Sequence, residues 1–270
     1  MIITSTANPT IKSLSRLHDR RGRLELGLYL VEGVRLVEEA LATGVVPGNI
    51  VVAPDLLRAT ARGRALHDRL IHAGVAEYPV LEVSAVVLRQ VAGTESPSGV
   101  AASLPRLPLT SLDALPGHAG LVLVLDGIGD PGNAGTILRT ADAAGVDGVV
   151  ALSGCTDLYA PKVVRAGMGA HLRLPLAVDV SPEQFASWAA TRGTLVLADA
   201  HAAESLYDLD LRAPALLVVG GEAHGATATA ALPTVRRASI PMPGAAESLN
   251  AGVAAAVMLF EAVRQRRVPG

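Results

Sequence analysis

Two short loops rich in glycine and proline hold the residues best suited to binding a small molecule. Residues 220–225 (GGEAHG) follow an apolar strand at 216–219, and residues 240–250 (IPMPGAAESLN) begin with a second short apolar segment. Glycine lets backbone N–H and C=O groups approach a ligand closely, and loops at strand ends line many small-molecule pockets in α/β proteins. The pattern alone fits two tight strand–helix connections equally well.

A third glycine pattern, Gly127-x-Gly129-x-x-Gly132, follows a predicted strand and has the letters of a dinucleotide-binding fingerprint. Two features weaken that interpretation. Pro131 lies inside the turn, and the next strand ends in Leu-Ser-Gly at 152–154, where an acid would be needed to hold a ribose. A nicotinamide oxidoreductase therefore stays open only as an alternative.

Small and polar residues follow this pattern along one predicted helix. Asn133 stands where an N-cap residue belongs. Gly135, Arg139 and Asp142 are spaced to share one helix face, on which an anionic backbone or a second subunit could approach closely. A solvated arginine explains Arg139 equally well on spacing alone.

Composition limits the class of protein. The 270 residues are 50% hydrophobic but only 3% aromatic, so the core must be built from Ala, Val and Leu. One cysteine, Cys155, excludes an internal disulfide framework and fits a reducing compartment. We find no signal-peptide pattern, no membrane-spanning run and no metal-ligand spacing, and therefore expect a cytoplasmic protein without membrane or metal.

A basic run near the N-terminus contrasts with the overall net charge of −2. Only one acid, Asp19, interrupts its cations, which are Lys12, Arg16, Arg20, Arg21 and Arg23. Such a cluster suits contact with RNA phosphates. A solvated helix face is the commoner meaning of a run like this.

Alternating apolar strands and amphipathic helices predict an α/β protein of two parts. Residues 1–103 form a compact sandwich, with a first helix at 10–19 that residues 20–22 interrupt. Residues 104–118 contain three prolines and form a linker. Residues 119–270 predict a mostly parallel sheet with a long closing helix at 250–267; its expected strands include 172–175 and 238–242.

Three segments of the second part resemble, in order, the three motifs of the SpoU/TrmH family of RNA ribose 2′-O-methyltransferases. They are residues 126–145 (DGIGDPGNAGTILRTADAAG), 219–225 (VGGEAHG) and 240–250. The N-terminal part also resembles the family's small RNA-recognition domain, which is related in fold to certain ribosomal proteins, through Lys12-Ser-Leu and the Val-Glu-Gly at 31–33.

The resemblance implies a SPOUT fold with a C-terminal trefoil knot, a homodimer, and S-adenosylmethionine held by the knot loops. Its implied active-site residues are Asn133, Arg139, Glu222, Ser248 and Asn250. Its implied cofactor contacts are Ala198, Val219, Gly220, Gly221, Ile240, Met242, Ser248 and Leu249.

The implied reaction is methylation of a ribose 2′-hydroxyl. We expect 23S ribosomal RNA as the substrate, because the N-terminal domain resembles that of rRNA-modifying members. The alternatives are a tRNA substrate, a non-catalytic RNA-binding protein, or the nicotinamide oxidoreductase. The family assigns a base-like role to the motif-one arginine, Arg139. Because guanidinium groups keep their proton at physiological pH, we expect Arg139 instead to bind phosphate and stabilise the developing alkoxide.

Overall fold

The computed structural model describes residues 2–72, 78–106, 111–115, 120–222 and 225–267. The chain divides into two compact units. The N-terminal unit comprises residues 1–107 together with 159–172, and the C-terminal unit comprises 108–158 together with 173–270. Within the expected linker, residues 107–110 and 116–118 lie outside the described ranges; residues 112–114 form one 3-10 turn.

The N-terminal unit is built on a four-stranded sheet with the order β1-β4-β2-β3, in which only the β2–β3 pair is parallel. Its strands are β1 (Leu28–Glu32), β2 (Asn49–Val52), β3 (Val80–Glu82) and β4 (Val100–Pro105). Its helices are α1 (Pro9–Ser15), α2 (Arg20–Leu26), α3 (Val34–Ala42), α4 (Pro54–Leu57), α5 (Ala61–His72), α6 (Ala85–Ala92) and α8 (Pro161–Gly167).

The segment 159–172 belongs to the N-terminal unit because its aromatic side chains pack on β1. Tyr159 meets Tyr29 edge-on at a centroid distance of 5.1 Å, and His171 lies 6.1 Å from the same ring. All three side chains are buried. Chain order alone places this stretch in the second part, because it gives no sign of an aromatic contact with a strand 130 residues earlier.

The first helix is interrupted, as expected, but at Asp19 and not at residues 20–22: α1 ends at Ser15, a 3-10 turn follows at Arg16–His18, and Asp19 is extended. Arg20–Leu26 form the helix α2, which ends at Gly27 in the left-handed conformation (φ +64°). Gly22 allows this helix to pack closely, because a Cβ there would overlap the carbonyl oxygen of Arg16. The glycine at position 22 permits a close backbone contact and does not terminate the helix.

The C-terminal unit contains a six-stranded sheet with the order β10-β8-β9-β5-β6-β7, and every pair is parallel. The strands are β5 (Leu121–Asp126), β6 (Gly148–Leu152), β7 (Leu176–Val180), β8 (Thr194–Ala198), β9 (Ala215–Gly220) and β10 (Val235–Ala238). The helices are α7 (Pro131–Ala144), α9 (Pro182–Ala189) and α10 (Ala251–Arg267). The central strand β5 is buried along its whole length, as a continuous apolar run predicts.

Two strands differ from expectation. Residues 170–172 form a 3-10 turn, and the strand follows at Leu176–Val180 instead of 172–175. The last strand ends at Ala238, where the predicted strand begins. Ile240 and Met242 are therefore loop residues, free of the sheet and available to line a cavity.

Candidate functional site

A cavity of about 420 Å³ opens at the carboxyl ends of β8, β9 and β10. This is the edge of a parallel sheet at which ligands of α/β proteins bind. The lining residues are Ala198, Asp199, Ala200, Val219, Gly220, Gly221, Glu222, Gly225, Ala238, Ile240, Met242, Ser248, Leu249, Asn250, Ala251 and Ala254. All eight residues expected to contact a cofactor are among them, so the structure brings the two predicted loops together around one space.

Two consecutive glycines allow neighbouring backbone segments to approach closely beside this cavity. A Cβ on Gly220 would overlap the backbone of Gly225 and Ala226, and a Cβ on Gly221 would overlap the carbonyl oxygen of Gly127. Gly221 N also donates to Asp126 O at 3.0 Å. The side-chain-free backbone is therefore a steric requirement at both positions.

A buried acid anchors the segment that follows the first loop, residues 220–225. It was not predicted as a site residue from the sequence. Asp126, at the end of β5, is 2% exposed. Its Oδ2 accepts hydrogen bonds from Thr229 N at 2.8 Å and from Thr229 Oγ1 at 2.7 Å. Since an unpaired buried carboxylate is costly, this pairing holds the segment after Gly225 against β5. The available signal was a lone acid that ends an all-apolar strand.

Three polar side chains from separate segments meet at the cavity mouth. Asn133 Nδ2 donates to Glu222 Oε1 at 2.7 Å, and Asn250 Nδ2 donates to the same oxygen at 2.8 Å. Asn250 Nδ2 also lies 2.9 Å from Asn133 Oδ1. Glu222 and Asn250 are solvent-exposed and Asn133 is half-buried, so the cluster is accessible to a substrate.

Asn250 has a second contact that sets the start of α10. Its Oδ1 accepts from Gly252 N at 2.9 Å and its carbonyl accepts from Ala254 N at 2.9 Å, so it caps the helix. Asn133, in contrast, is not the N-cap of α7. That position belongs to Asp130, whose Oδ1 accepts from Asn133 N at 2.8 Å.

The cap at Asp130 also argues against a dinucleotide site. In that class of fold the helix N-terminus after the glycine pattern receives a pyrophosphate, but here a carboxylate already lies there. Gly127, Gly129 and Gly132 are absent from the residues that line the cavity.

The cavity lining has an acidic character. Its charged side chains are the carboxylates of Asp199 and Glu222, and no Lys or Arg contributes to it among the described residues. Asp199 Oδ2 accepts from Arg237 Nη1 at 2.8 Å, and this side-chain hydrogen bond holds the pKa of Asp199 below its ordinary value. Asp199 was not predicted from the sequence. Such a lining suits a ligand with cationic or donor groups better than one with phosphates.

Arg139 lies outside the cavity lining. It is exposed on α7 and makes no hydrogen bond or ion pair with any described residue. The expected polar face is only partly present, because Gly135 is buried and Asp142 accepts a bidentate contact from Arg173, at 3.0 and 2.6 Å. Arg139 is thus available for a partner outside the chain.

Four of the five predicted basic residues are exposed, namely Lys12, Arg16, Arg20 and Arg21. Arg16 and Arg21 share the carboxylate of Glu25. Arg23 is a correction: its side chain is 3% exposed, and Nη1 donates to the carbonyls of Leu17 and His18, both at 2.7 Å. It stabilises the α1–α2 connection and is not accessible to RNA.

The two units differ in charge. Residues 1–107 with 159–172 contain fourteen Lys or Arg and ten Asp or Glu, whereas the remaining residues contain nine and fifteen. The near-neutral total therefore conceals a basic unit and an acidic one. Across the described ranges, no helix is long and apolar enough to span a bilayer, and no cluster of His, Cys, Asp or Glu could hold a metal ion.

Comparison with known families decides the classification. The model described as the SpoU rRNA Methylase family matches residues 120–260. The chain belongs to this family. A second model, described as the MRM3-like substrate binding domain, matches residues 8–102. The predicted family membership is therefore confirmed in both parts of the chain.

Relatives of this family match nearly the whole chain. An uncharacterized tRNA/rRNA methyltransferase of Synechocystis sp. is 37% identical over 269 residues, which cover 98% of this chain and 94% of that protein. The 23S rRNA (guanosine(2553)-2′-O)-methyltransferase of Bacillus subtilis is 31% identical over 259 residues, with coverage of 96% and 97%. An AdoMet-bound rRNA methyltransferase crystal structure from Sinorhizobium meliloti has a TM-score of 0.84 at 30% identity, covering 98% of this chain and 97% of that chain. The α/β SPOUT fold class with its separate N-terminal domain is confirmed.

Proposed function

We propose that this protein transfers a methyl group from S-adenosylmethionine to a ribose 2′-hydroxyl of 23S ribosomal RNA. The observation that carries the proposal is the cluster of Asn133, Glu222 and Asn250 at the mouth of a cavity whose described lining residues include no Lys or Arg. The relatives named as 23S rRNA methyltransferases support the choice of RNA. The tRNA alternative has less support, because the relative whose name includes tRNA is an uncharacterized tRNA/rRNA methyltransferase.

The cavity fits the proposed methyl donor in size and charge. Its volume of about 420 Å³ lies within the usual range for small-molecule sites. Val219, Ile240 and Leu249 offer apolar surface to an adenine ring, and the backbone at Gly220 is bare enough for close approach. When bound, S-adenosylmethionine supplies an electrophilic methyl group on a cationic sulfur. The carboxylate of Glu222 favours that charge.

The polar cluster orients the reacting groups. Glu222 accepts from both amides, which fixes their rotation at the mouth of the cavity. Asn133 and Asn250 then present fixed polar atoms to the ribose, and Ser248 adds a hydroxyl on the same rim. Good orientation alone can lower a bimolecular barrier by ~7–11 kcal/mol. No covalent enzyme intermediate is required.

Arg139 binds the phosphate next to the target ribose and stabilises the negative charge that develops on the 2′-oxygen. Its exposure and its lack of a partner among the described residues support this role. We propose that it acts across a homodimer, toward the cavity of the partner subunit. Val253 and Phe260 on α10 are 49% and 48% exposed, and α10 packs on α7, so an apolar surface lies beside the helix that carries Arg139.

Substrate recognition falls to the N-terminal part. The proposed bounds are 1–103 for this part, 104–118 for the linker and 119–270 for the methyltransferase domain, except that the segment 159–172 belongs to the compact N-terminal unit. The excess of cations in the N-terminal unit supports contact with phosphates. Lys12, Arg16, Arg20 and Arg21 remain the proposed contacts.

A trefoil knot formed by the C-terminal loops is part of the proposal, and the membership of the SpoU family supports it. A cytoplasmic location follows from the proposed substrate, which is ribosomal RNA.

The decisive experiment maps 2′-O-methyl groups on ribosomal RNA from cells with and without the gene. Loss of one mark, restored by the wild-type gene but not by Arg139→Lys, is the expected result. Purified protein should transfer labelled methyl groups to rRNA from the deletion strain and not to rRNA already modified. Unchanged marks together with no labelled transfer would contradict the proposal.

A further inference from the structure

We propose that Asp199 binds a hydrogen-bond donor of S-adenosylmethionine at the side of the cavity opposite the Glu222 cluster. The inference rests on the proposed function, since it assigns a ligand contact within that site. Asp199 directly follows β8 and lines the cavity together with Ala198 and Ala200. No motif singles it out in the sequence.

The carboxylate is held rigidly but is not saturated. Oδ1 accepts from His201 N at 2.9 Å and Oδ2 accepts from Arg237 Nη1 at 2.8 Å. Arg237 is itself fixed by a bond from Nη2 to Ala230 O at 3.1 Å. A carboxylate has about four lone-pair positions, so each oxygen keeps capacity for one more donor. The side chain is 22% exposed, which leaves it accessible within the cavity.

Strand order places the two carboxylates of the cavity on opposite sides of β9. Glu222 follows β9 and is bonded to Asn133 on α7, the helix that follows β5. Asp199 follows β8, which lies on the other side of β9, next to β10. If the methyl group faces the Glu222 cluster, a more distant part of the donor molecule meets Asp199.

The carboxylate of Asp199 can only accept hydrogen bonds, and this restricts which group of S-adenosylmethionine it can bind. An acceptor with two fixed oxygens suits groups that carry at least two donor hydrogens, and S-adenosylmethionine offers three: the paired ribose hydroxyls, the adenine 6-amino group and the α-ammonium group. Its carboxylate carries no donor. 5′-Methylthioadenosine keeps the first two groups and lacks the third, so it separates the nucleoside part of the ligand from the amino-acid part.

The test measures binding of S-adenosylhomocysteine and 5′-methylthioadenosine by calorimetry, without RNA and without turnover. The variants are Asp199→Asn, Asp199→Ser and Arg237→Gln. Asp210→Asn is the matched control, because Asp210 is also paired with an arginine, Arg212, but does not line the cavity. Melting temperatures establish that each variant is folded at the temperature of measurement.

We expect both Asp199 variants to weaken S-adenosylhomocysteine binding by about tenfold or more, as loss of charge-assisted hydrogen bonds implies. Arg237→Gln, which keeps the carboxylate, should cost less than about threefold. An equal loss for 5′-methylthioadenosine assigns the contact to the nucleoside part, through the ribose hydroxyls or the adenine amino group, whereas no loss assigns it to the α-ammonium group.

Two results would overturn the inference. Affinity within twofold of wild type in the Asp199 variants would mean that the carboxylate does not touch the ligand. Equal losses in Arg237→Gln and Asp199→Asn would mean that the ion pair only supports the loop. If the wild-type protein itself failed to bind S-adenosylhomocysteine, the proposed function would fail, which is a separate outcome.

Discussion

Asn250 reaches back across the cavity mouth to Asn133, 117 residues earlier in the chain, with 2.9 Å between Nδ2 and Oδ1. The same Nδ2 donates to Glu222, while Oδ1 caps the first turn of α10. One side chain therefore joins the polar cluster to the helix that closes the cavity. Its two functions can be separated by substitution.

The first prediction concerns Asn250. Asn250→Ala removes both contacts, whereas Asn250→Ser keeps a good N-cap but is too short to reach Glu222. We expect Asn250→Ala to lower the free energy of unfolding by about 1 kcal/mol and Asn250→Ser to lower it by less than about 0.5 kcal/mol. Both should reduce methyl transfer at least about tenfold, measured as kcat/KM on unmodified rRNA. Full activity in Asn250→Ser would show that the helix cap is the residue's only role.

The second prediction concerns the charge of Glu222. In Glu222→Gln the amide oxygen still accepts from Asn133 and Asn250, so the fold and the cluster should persist. The variant loses the attraction for the cationic sulfur, worth roughly 1 kcal/mol at this exposed site, or about fivefold in affinity. Calorimetry should therefore show weaker binding of S-adenosylmethionine and nearly unchanged binding of neutral-sulfur S-adenosylhomocysteine. An equal loss for both ligands would indicate a steric effect.

The third prediction concerns Arg139. Arg139→Lys keeps a cation on the exposed face of α7, so affinity for RNA should stay within about threefold of wild type. Lysine cannot reproduce the planar, two-pronged contact of a guanidinium, and we expect methyl transfer to fall by about 10²-fold or more. Filter binding and single-turnover transfer measure the two effects separately. Arg212→Lys is the control, because Arg212 is a surface arginine that pairs only locally, with Asp210.

Much of the fold could be predicted because its signals are local. The continuous apolar run at 121–126 predicts a strand buried on both faces, and that strand is the centre of the sheet. The differences from expectation have a common cause. The place of Gly22 inside a helix and the packing of the segment 159–172 depend on contacts with residues that are distant in the chain or on another helix. Hydrophobic periodicity contains no information about such contacts.

The site could be predicted as a set of residues but not as a geometry. Residue patterns suggested a pocket, and the family motifs named the residues that surround it. Neither indicated that Glu222 would be shared by two amides, nor that Asp199 and Arg237 would pair at its far side. Arg23 was predicted to be exposed because it lies in a basic run. In the structure its guanidinium is buried and donates to backbone carbonyls.

The fourth prediction tests the steric requirement where Gly221 approaches Gly127. Gly221→Ala places a methyl group on the carbonyl oxygen of Gly127, and a backbone atom cannot move aside cheaply. We expect a loss of about 2 kcal/mol or more in the free energy of unfolding, or failure to fold. Gly129→Ala is the matched control, because no atom lies within 4 Å of its Cβ position. Thermal denaturation measures both, and a wild-type melting temperature for Gly221→Ala would contradict the described close contact with Gly127.

The last prediction concerns pH and the anchoring of α10. Glu261 accepts from Arg264 at 2.8 Å and from Gln265 at 2.7 Å, and Gln265 in turn accepts from Leu211 N at 2.8 Å. The Arg264 hydrogen bond holds the pKa of Glu261 below its ordinary value of 4.5. A lowered pKa in the folded state means that the stabilisation is complete above pH 4.5 and is lost as the pH falls below it. Because Arg264 is 64% exposed, solvent screening limits the effect to about 0.5–1 kcal/mol.

Glu261→Gln should therefore be less stable than wild type at pH 7 and nearly equal to it near pH 3, measured by urea denaturation. Glu247→Gln, at an exposed position, should match wild type at both pH values, and a constant deficit in Glu261→Gln would mean that packing, not charge, explains the residue.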